Sequence, residues 1–247
     1  MITVILNGYR RPEALKEQYD SVMNQTVSED LDVMLWTNFH QDSYDKFPKE
    51  VVENVTAGMC NKNLGVWARF AFALNAKTRF ICVLDDDTIP GKKWLENCLV
   101  TMEESTGLLG CRGVRMTGED FNNYPMCQYE AFGAASPSDE IKQVDIMGHC
   151  WFFEREWLRA YWAEMPSTPL QYGGEDMHFS YVMQKHFGLN TYVPPHPVDD
   201  KDMWGSTDPA KYGEDEAATS RTGEGTMQAN AYWNFILSQG YKLVKDM

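Results

Sequence analysis

Residues 80–90 read Phe-Ile-Cys-Val-Leu-Asp-Asp-Asp-Thr-Ile-Pro, and this stretch narrows the choice of fold more than any other. Ile81, Cys82, Val83 and Leu84 form an apolar run without alternation, the pattern of a strand buried on both faces of a parallel sheet. Asp85, Asp86 and Asp87 follow without a break. Three adjacent carboxylates repel one another, so their place at the end of a buried strand calls for a cation close by. In an open α/β sheet, ligands bind outside the carboxyl ends of the strands. Hard oxygen donors there suit Mg²⁺ or Mn²⁺, which take one or two carboxylates and leave the remaining positions to substrate phosphates. The bland alternative is a solvated acidic turn; the buried strand before it and the helix after it favour the metal.

The flanking sequence alternates strand and helix. Residues 2–6 predict a strand, residues 7–11 the loop at its carboxyl end, and Pro12 the first turn of a helix with Leu15, Tyr19, Val22 and Met23 on one face. Residues 31–36 predict a second strand, parallel to the first across a crossover. Residues 51–57 read as a short third strand. Val66, Phe70 and Leu74 mark a helix before the acidic stretch, and residues 92–102 an amphipathic helix after it. Residues 110–116 and 144–153 read as strands, 154–163 as a helix, and Gly173-Gly174-Glu175-Asp176 as the opening of another. Residues 191–195 predict a last short strand and residues 227–238 a final helix with Tyr232, Phe235 and Ile236 on its apolar face. Residues 120–140 read as loops, and residues 198–225, rich in Asp, Glu, Gly, Ser and Thr, as a mobile loop. No repeat or linker divides the 247 residues, so a single α/β domain is expected.

The net charge of −14 argues against nucleic acid or an anionic membrane as partner. A phosphate ligand remains compatible with it if a divalent cation bridges the two. No apolar run approaches the roughly eighteen residues of a membrane span, and no basic leader precedes the first strand. The expectation is therefore no membrane span and a cytoplasmic setting. None of the six cysteines forms a C-x-x-C pair, which speaks against zinc and for reduced thiols.

Several short motifs then fall in a familiar order. Residues 33–38 read Val-Met-Leu-Trp-Thr-Asn. Asn63-Leu64 and Arg69-Phe70 precede Leu84-Asp85-Asp86-Asp87-Thr88. Val144-Asp145-Ile146, Gly148 and Phe152-Phe153 follow, then Glu175-Asp176-Met177, Ser220-Arg221 and Gly240-Tyr241-Lys242-Leu243. In this order the chain resembles the GT-A class of nucleotide-sugar-dependent glycosyltransferases, and within it most closely the exostosin-type catalytic domain. Thr37 departs from the first Asn of that pattern, and His149-Cys150-Trp151 is bulkier than its small residues. The chain also resembles the large inverting family through Asn63-Leu64-Gly65 and Trp94-Leu95.

The resemblance implies a Rossmann-like GT-A fold: a mixed, mostly parallel central sheet flanked by helices. It implies a nucleotide-sugar-binding half over residues 1–116 and an acceptor-binding half over 117–247 with a mobile tail at 198–226. The implied activity is a metal-dependent hexosyl or N-acetylhexosaminyl transfer from a UDP-sugar to a hydroxyl of a glycan or other acceptor, with Mn²⁺ or Mg²⁺ as cofactor. Retention of configuration is slightly favoured, with inversion as the alternative. Asp87, Asp85 and His196 are the expected metal ligands, with His149 a candidate of the same kind as His196. Tyr9, Arg10, Asn38, Asn63, Arg69, Asp85, Asp86 and Arg221 are expected around the nucleotide sugar: Tyr9 stacks on the base, the Asn38 amide reads its edge, and Arg221 closes as a lid. Trp204 is expected to line the acceptor site. Asp176 is the expected catalytic carboxylate and a general base if the reaction inverts, with Glu175 as its understudy. Two rivals stand beside this reading. A nucleotidyltransferase would need a glycine-rich basic loop after the first strand, which Asn7-Gly8-Tyr9-Arg10-Arg11 is not. A non-catalytic nucleotide- or carbohydrate-binding domain could share the same fold.

Overall fold

A computed structural model describes residues 1–118, 128–134, 136–164, 166, 170–212 and 223–247. The elements run β1 (Ile2–Gly8), α1 (Pro12–Met23), β2 (Leu31–Thr37), α2 (Lys49–Val52), β3 (Thr56–Met59), α3 (Ala68–Phe72), β4 (Phe80–Leu84) and α4 (Trp94–Glu104). Then follow β5 (Gly107–Leu109), β6 (Arg112–Met116), β7 (Tyr129–Gly133), β8 (Lys142–Val144), β9 (Ile146–Gly148), β10 (Cys150–Glu154) and α5 (Leu158–Ala163). The chain closes with α6 (Glu175–Phe187), β11 (Asn190–Val193), α7 (Pro209–Tyr212) and α8 (Gly223–Ser238).

The strands that read as continuous apolar runs hold the middle of the main sheet, whose order is β3-β2-β1-β4-β10-β5-β11-β8. Pairing is parallel along β3, β2, β1 and β4 and antiparallel on both sides of β10; β11 lies parallel to β5 and antiparallel to β8. All strands but β10 and β8 therefore point the same way, which makes this the mixed, mostly parallel α/β sheet expected. A second, antiparallel sheet of order β7-β6-β9 stands beside it. Helices flank the main sheet and bury a continuous core. In that core the rings of Phe70, Trp151, Phe153, Tyr161 and Phe179 interlock at 4.8–6.4 Å between α3, β10, α5 and α6. Removing one such ring costs roughly 3–5 kcal/mol, so these four elements are fixed relative to one another.

The structure corrects several expectations. Residues 51–57 are not one strand: α2 ends at Val52 and β3 begins at Thr56. Leu74 is 56% exposed, because the helix carrying Phe70 tightens into a 3₁₀ turn over Ala73–Asn75 and turns it outward. Residues 110–116 supply only β6, and β5 lies before them. Residues 129–133, read as loop, form β7; most of the rest of that loop lies outside the described residues. Phe235 is 41% exposed, while Tyr232, Trp233 and Ile236 form the buried face of α8.

The stretch 144–153 is three strands in two sheets. Asp145 breaks the first junction: its buried carboxylate accepts the N–H groups of Met116 (2.6 Å) and Val244 (2.7 Å), and its carbonyl accepts the Tyr241 hydroxyl. His149 breaks the second, with φ +65°. The predicted mobile loop is packed over residues 204–206, which are buried. Asn97 donates to the carbonyls of Pro195 and Met203, Gly91 N–H donates to Trp204, and Trp204 itself is buried. No helix among the described residues is long and apolar enough to cross a membrane. Cys60, Cys82, Cys98, Cys111 and Cys150 are free thiols.

Candidate active site

The carboxyl ends of β1, β2 and β4 and the first turn of α6 open onto one cleft of about 760 Å³, within the size range of small-ligand sites. The three-stranded sheet and the start of α8 form its other wall.

Each aspartate of the acidic loop meets a different cation. Arg69 Nη1 lies 2.9 Å from Asp85 Oδ1. Arg11 Nη1 lies 2.6 Å from Asp86 Oδ1, and the Arg10 backbone N–H donates to Asp86 Oδ2 at 3.1 Å. His149 Nδ1 stands 3.5 Å from Asp87 Oδ1. The repulsion anticipated from sequence is thus answered by three neighbouring side chains. The loop is also fixed from below, where Gln18 Nε2 donates to the carbonyls of Asp85 and Thr88 at 2.7 Å. Burial works against the Asp87 charge, but the His149 hydrogen bond and the charges of His149 and Arg11 hold it at about 2. Burial likewise opposes the His149 charge, while its hydrogen bond to Asp87 raises it to about 9. Asp85 is raised, chiefly by burial, against the pull of Arg69.

The left-handed turn at His149 is what aims its ring. Its carbonyl accepts from Asp85 N–H and Thr88 Oγ1, both at 2.9 Å, so the turn is held against the acidic loop itself. The ligand atoms of Asp85, Asp87 and His149 lie within 4.8 Å of one another, the only such group among the described residues. Two carboxylates and one imidazole at that spacing fit a divalent cation.

Gly174, with φ +89°, ends the preceding loop in the left-handed conformation that glycine adopts freely, and α6 starts at once with Glu175 and Asp176. The two acids are not equivalent. Glu175 is buried, and its Oε1 accepts from Arg69 Nη2 at 2.9 Å. Asp176 is half-buried and lines the cleft, with Oδ1 accepting the Met177 N–H at 2.8 Å. Burial raises Glu175 to about 7, aided by the Asp176 charge, and burial raises Asp176 to about 6. Arg69, expected to reach the donor, is instead a buried bridge between Asp85 and Glu175, with its guanidinium 4.4 Å from the Trp151 ring centre.

Tyr9, Arg10, Asn38 and Asn63 all line the cleft. The Asn38 amide is committed within the protein. It donates to Asn63 Oδ1 (3.0 Å) and the Gly65 carbonyl (3.1 Å) and accepts from Leu64 N–H (2.9 Å). Both amide hydrogens are therefore used, and Asn38 shapes the wall of the pocket. Asn63 Nδ2 donates to the Tyr9 hydroxyl at 2.9 Å.

His196 lies away from this group. Nδ1 faces the Pro194 carbonyl at 2.8 Å, Nε2 accepts from Gly205 N–H at 3.2 Å, and burial lowers it to about 4. Both nitrogens are engaged, which corrects its expected ligand role. Trp204 packs against His196 outside the cleft, its indole N–H donating to Pro197, which corrects its expected acceptor role. Arg221 lies outside the described residues.

Sequence reasoning missed Arg11 and underweighted His149. Arg11 carries no motif signal, and a histidine between strands declares itself only through its backbone turn. It also missed Gln228, whose Oε1 accepts the N–H groups of Gln171 and Tyr172 and so fastens α8 to the loop before α6.

Three comparisons bear on this arrangement. The sequence pattern of the family described as "Glycosyl transferase family 2" matches residues 3–162. No curated protein matches the chain in sequence. Among solved structures, S. aureus TarS residues 1–349 in complex with UDP is similar at TM-score 0.52 and 16% identity, over 78% of this chain and 57% of that one. The same fragment in complex with UDP-GlcNAc gives TM-score 0.52 and 16% identity over 78% and 56%, and a longer TarS structure gives 0.53 and 15% over 81% and 37%. At these identities the likeness is one of fold, and the chain spans little more than half of the TarS fragment.

Proposed function

The chain belongs to glycosyl transferase family 2, and from that premise we propose that it transfers a sugar from a uridine-diphosphate sugar to a hydroxyl acceptor with inversion at the anomeric carbon. One observation carries the reading: the Asp85-Asp87-His149 group and Asp176 face the same cleft from opposite sides of the Arg69 bridge.

Tyr9, Arg10 and Asn63 offer the uridine and ribose contacts, on a wall that Asn38 organises. The UDP and UDP-GlcNAc complexes of the structural neighbour support uridine as the base and an N-acetylhexosamine as the transferred group. Asp85, Asp87 and His149 would hold the divalent ion, and the mixed oxygen and nitrogen set favours Mn²⁺ over Mg²⁺. When bound, that ion supplies charge neutralisation at the departing diphosphate. Asp176 takes the proton of the acceptor hydroxyl on its carboxylate. At about 6 it is ionised at neutral pH yet basic enough to take the proton as the new bond forms. Glu175, anchored by Arg69, fixes the turn that carries Asp176. With Glu175 committed to Arg69 in this way, Asp176 is the carboxylate left free to act as base, which favours direct displacement and inversion over the retaining course of an exostosin-type enzyme. The resemblance of Asn63-Leu64-Gly65 and Trp94-Leu95 to the large inverting family favours the same course.

The test is UDP release from UDP-GlcNAc and UDP-glucose with Mn²⁺ present, comparing the wild type with Asp176→Asn. The expected result is turnover by the wild type, slowed roughly 10²–10⁴-fold in the variant, with UDP affinity retained. UDP binding without turnover in the wild type would favour a non-catalytic domain instead.

A further inference from the structure

Gly148 ends β9 beside Asp176, and neither its backbone nor its packing calls for glycine. Its φ is not in the left-handed region. Among the described residues, a Cβ built on it would meet a single atom within 4 Å, Asp176 Oδ2 at 3.8 Å. The other glycines of this wall differ: a Cβ on Gly113 would strike Val193 and Val144 at 2.7–2.8 Å, and Gly133 has φ +96°. Among the described residues the space above Gly148 is therefore open, and it lies against the carboxylate oxygen of Asp176. A hydroxyl that gives its proton to a general base must come within roughly 2.6–3.2 Å of it, and a side chain at residue 148 would stand in that approach.

Arg112 is the register partner of Gly148 on β6. Directly opposed residues of an antiparallel pair carry their side chains on the same face, and both residues line the cleft. The partner of Arg112 on its other side, in β7, is Gly133. With a glycine on each flank, no cross-strand side chain covers Arg112, and the residue is exposed. Arg11 and Arg69, the buried arginines of the cleft, are each paired with carboxylates. Arg112 makes no ion pair among the described residues. A guanidinium left unneutralised in so acidic a chain, next to the position of the reacting hydroxyl, is matched to a negative charge on the substrate. Guanidinium pairs with both carboxylate and phosphate through two parallel hydrogen bonds.

We propose that Gly148 and Arg112 form the acceptor subsite, and that the acceptor is a hydroxyl compound carrying a carboxylate or phosphate close to the hydroxyl that reacts. This rests on the transferase reading above, and the test separates the two. Binding of UDP with Mn²⁺ is measured first. With UDP saturating, equilibrium binding is then measured for methyl glucoside, methyl glucuronide and methyl glucoside 6-phosphate. If UDP itself does not bind, the transferase reading fails. If UDP binds, the subsite predicts that one of the two anionic sugars binds about tenfold or more tightly than the neutral one, the value of one charge-assisted contact. Which of the two it is distinguishes carboxylate from phosphate. Arg112→Gln should close that gap with its melting temperature unchanged. Gly148→Val should weaken binding of all three sugars and likewise keep the wild-type melting temperature, since the described residues leave that space empty. Equal affinity for charged and neutral sugars, a preference that survives Arg112→Gln, or normal sugar binding by Gly148→Val would each overturn the proposal.

Discussion

Nη2 of Arg69 lies 2.9 Å from Oε1 of Glu175, a residue 106 positions further along the chain. Through Nη1 the same guanidinium holds Asp85, also at 2.9 Å. One buried cation thus joins the acidic loop after β4 to the first turn of α6, and fixes Asp176 relative to Asp87 without touching either. Arg69→Met leaves the buried Glu175 and the partly exposed Asp85 without their partner. We expect a loss of roughly 3–5 kcal/mol in urea unfolding. A loss within the range of an exposed ion pair, below about 1 kcal/mol, would show that the bridge is peripheral.

His149 sits at φ +65°, so its replacement must tolerate the left-handed backbone. Asparagine does so better than alanine. His149→Asn is expected to weaken Mn²⁺ binding in the presence of UDP about tenfold or more, read by electron paramagnetic resonance of the free ion. Unchanged Mn²⁺ affinity would remove His149 from the ligand set, whereas His196→Gln is expected to leave it unchanged.

Asp176 works as a base only when ionised. Burial raises it to about 6, so kcat/KM should fall below that pH by about tenfold per unit, as expected for one essential deprotonated group. Above it the rate should level off until other groups titrate. A profile flat between pH 7 and pH 5 would exclude Asp176 as the base.

Much of this architecture was legible beforehand, and what was not has physical causes. The strand before the three aspartates and the glycine-led start of α6 read correctly because apolar runs and left-handed glycines are local signals. The division of residues 144–153 into three strands did not, because it depends on Asp145 and His149 turning toward partners far away in sequence. Asn38 carries the amide of a base reader, yet that amide is spent on Asn63, Leu64 and Gly65, a pairing that only the folded turn creates. His196, in a proline-rich segment, looked like a ligand from the tail. The fold encloses it against Trp94 and Trp204 instead.

Two buried histidines set a separate pH dependence, one of stability. Burial lowers His178 and His196 from 6.5 to about 4. Between those values the unfolded chain binds protons that the folded chain refuses, so stability falls as pH drops from 6.5 toward 4. Each should contribute a loss of roughly 1–2 kcal/mol between pH 6.5 and 5. Urea midpoints across this range should show a shallower pH slope in His196→Gln than in the wild type. An identical slope would mean that His196 titrates normally in the folded protein.

The central claim is that the carboxylates after β4, together with His149, hold a cation and through it a nucleoside diphosphate. Calorimetric titration of UDP in the presence of Mn²⁺, on the wild type and on Asp87→Asn, tests it most directly. The account predicts Mn²⁺-dependent binding by the wild type and an affinity reduced by about tenfold or more in the variant. UDP binding that ignores both Mn²⁺ and the loss of Asp87 would contradict it.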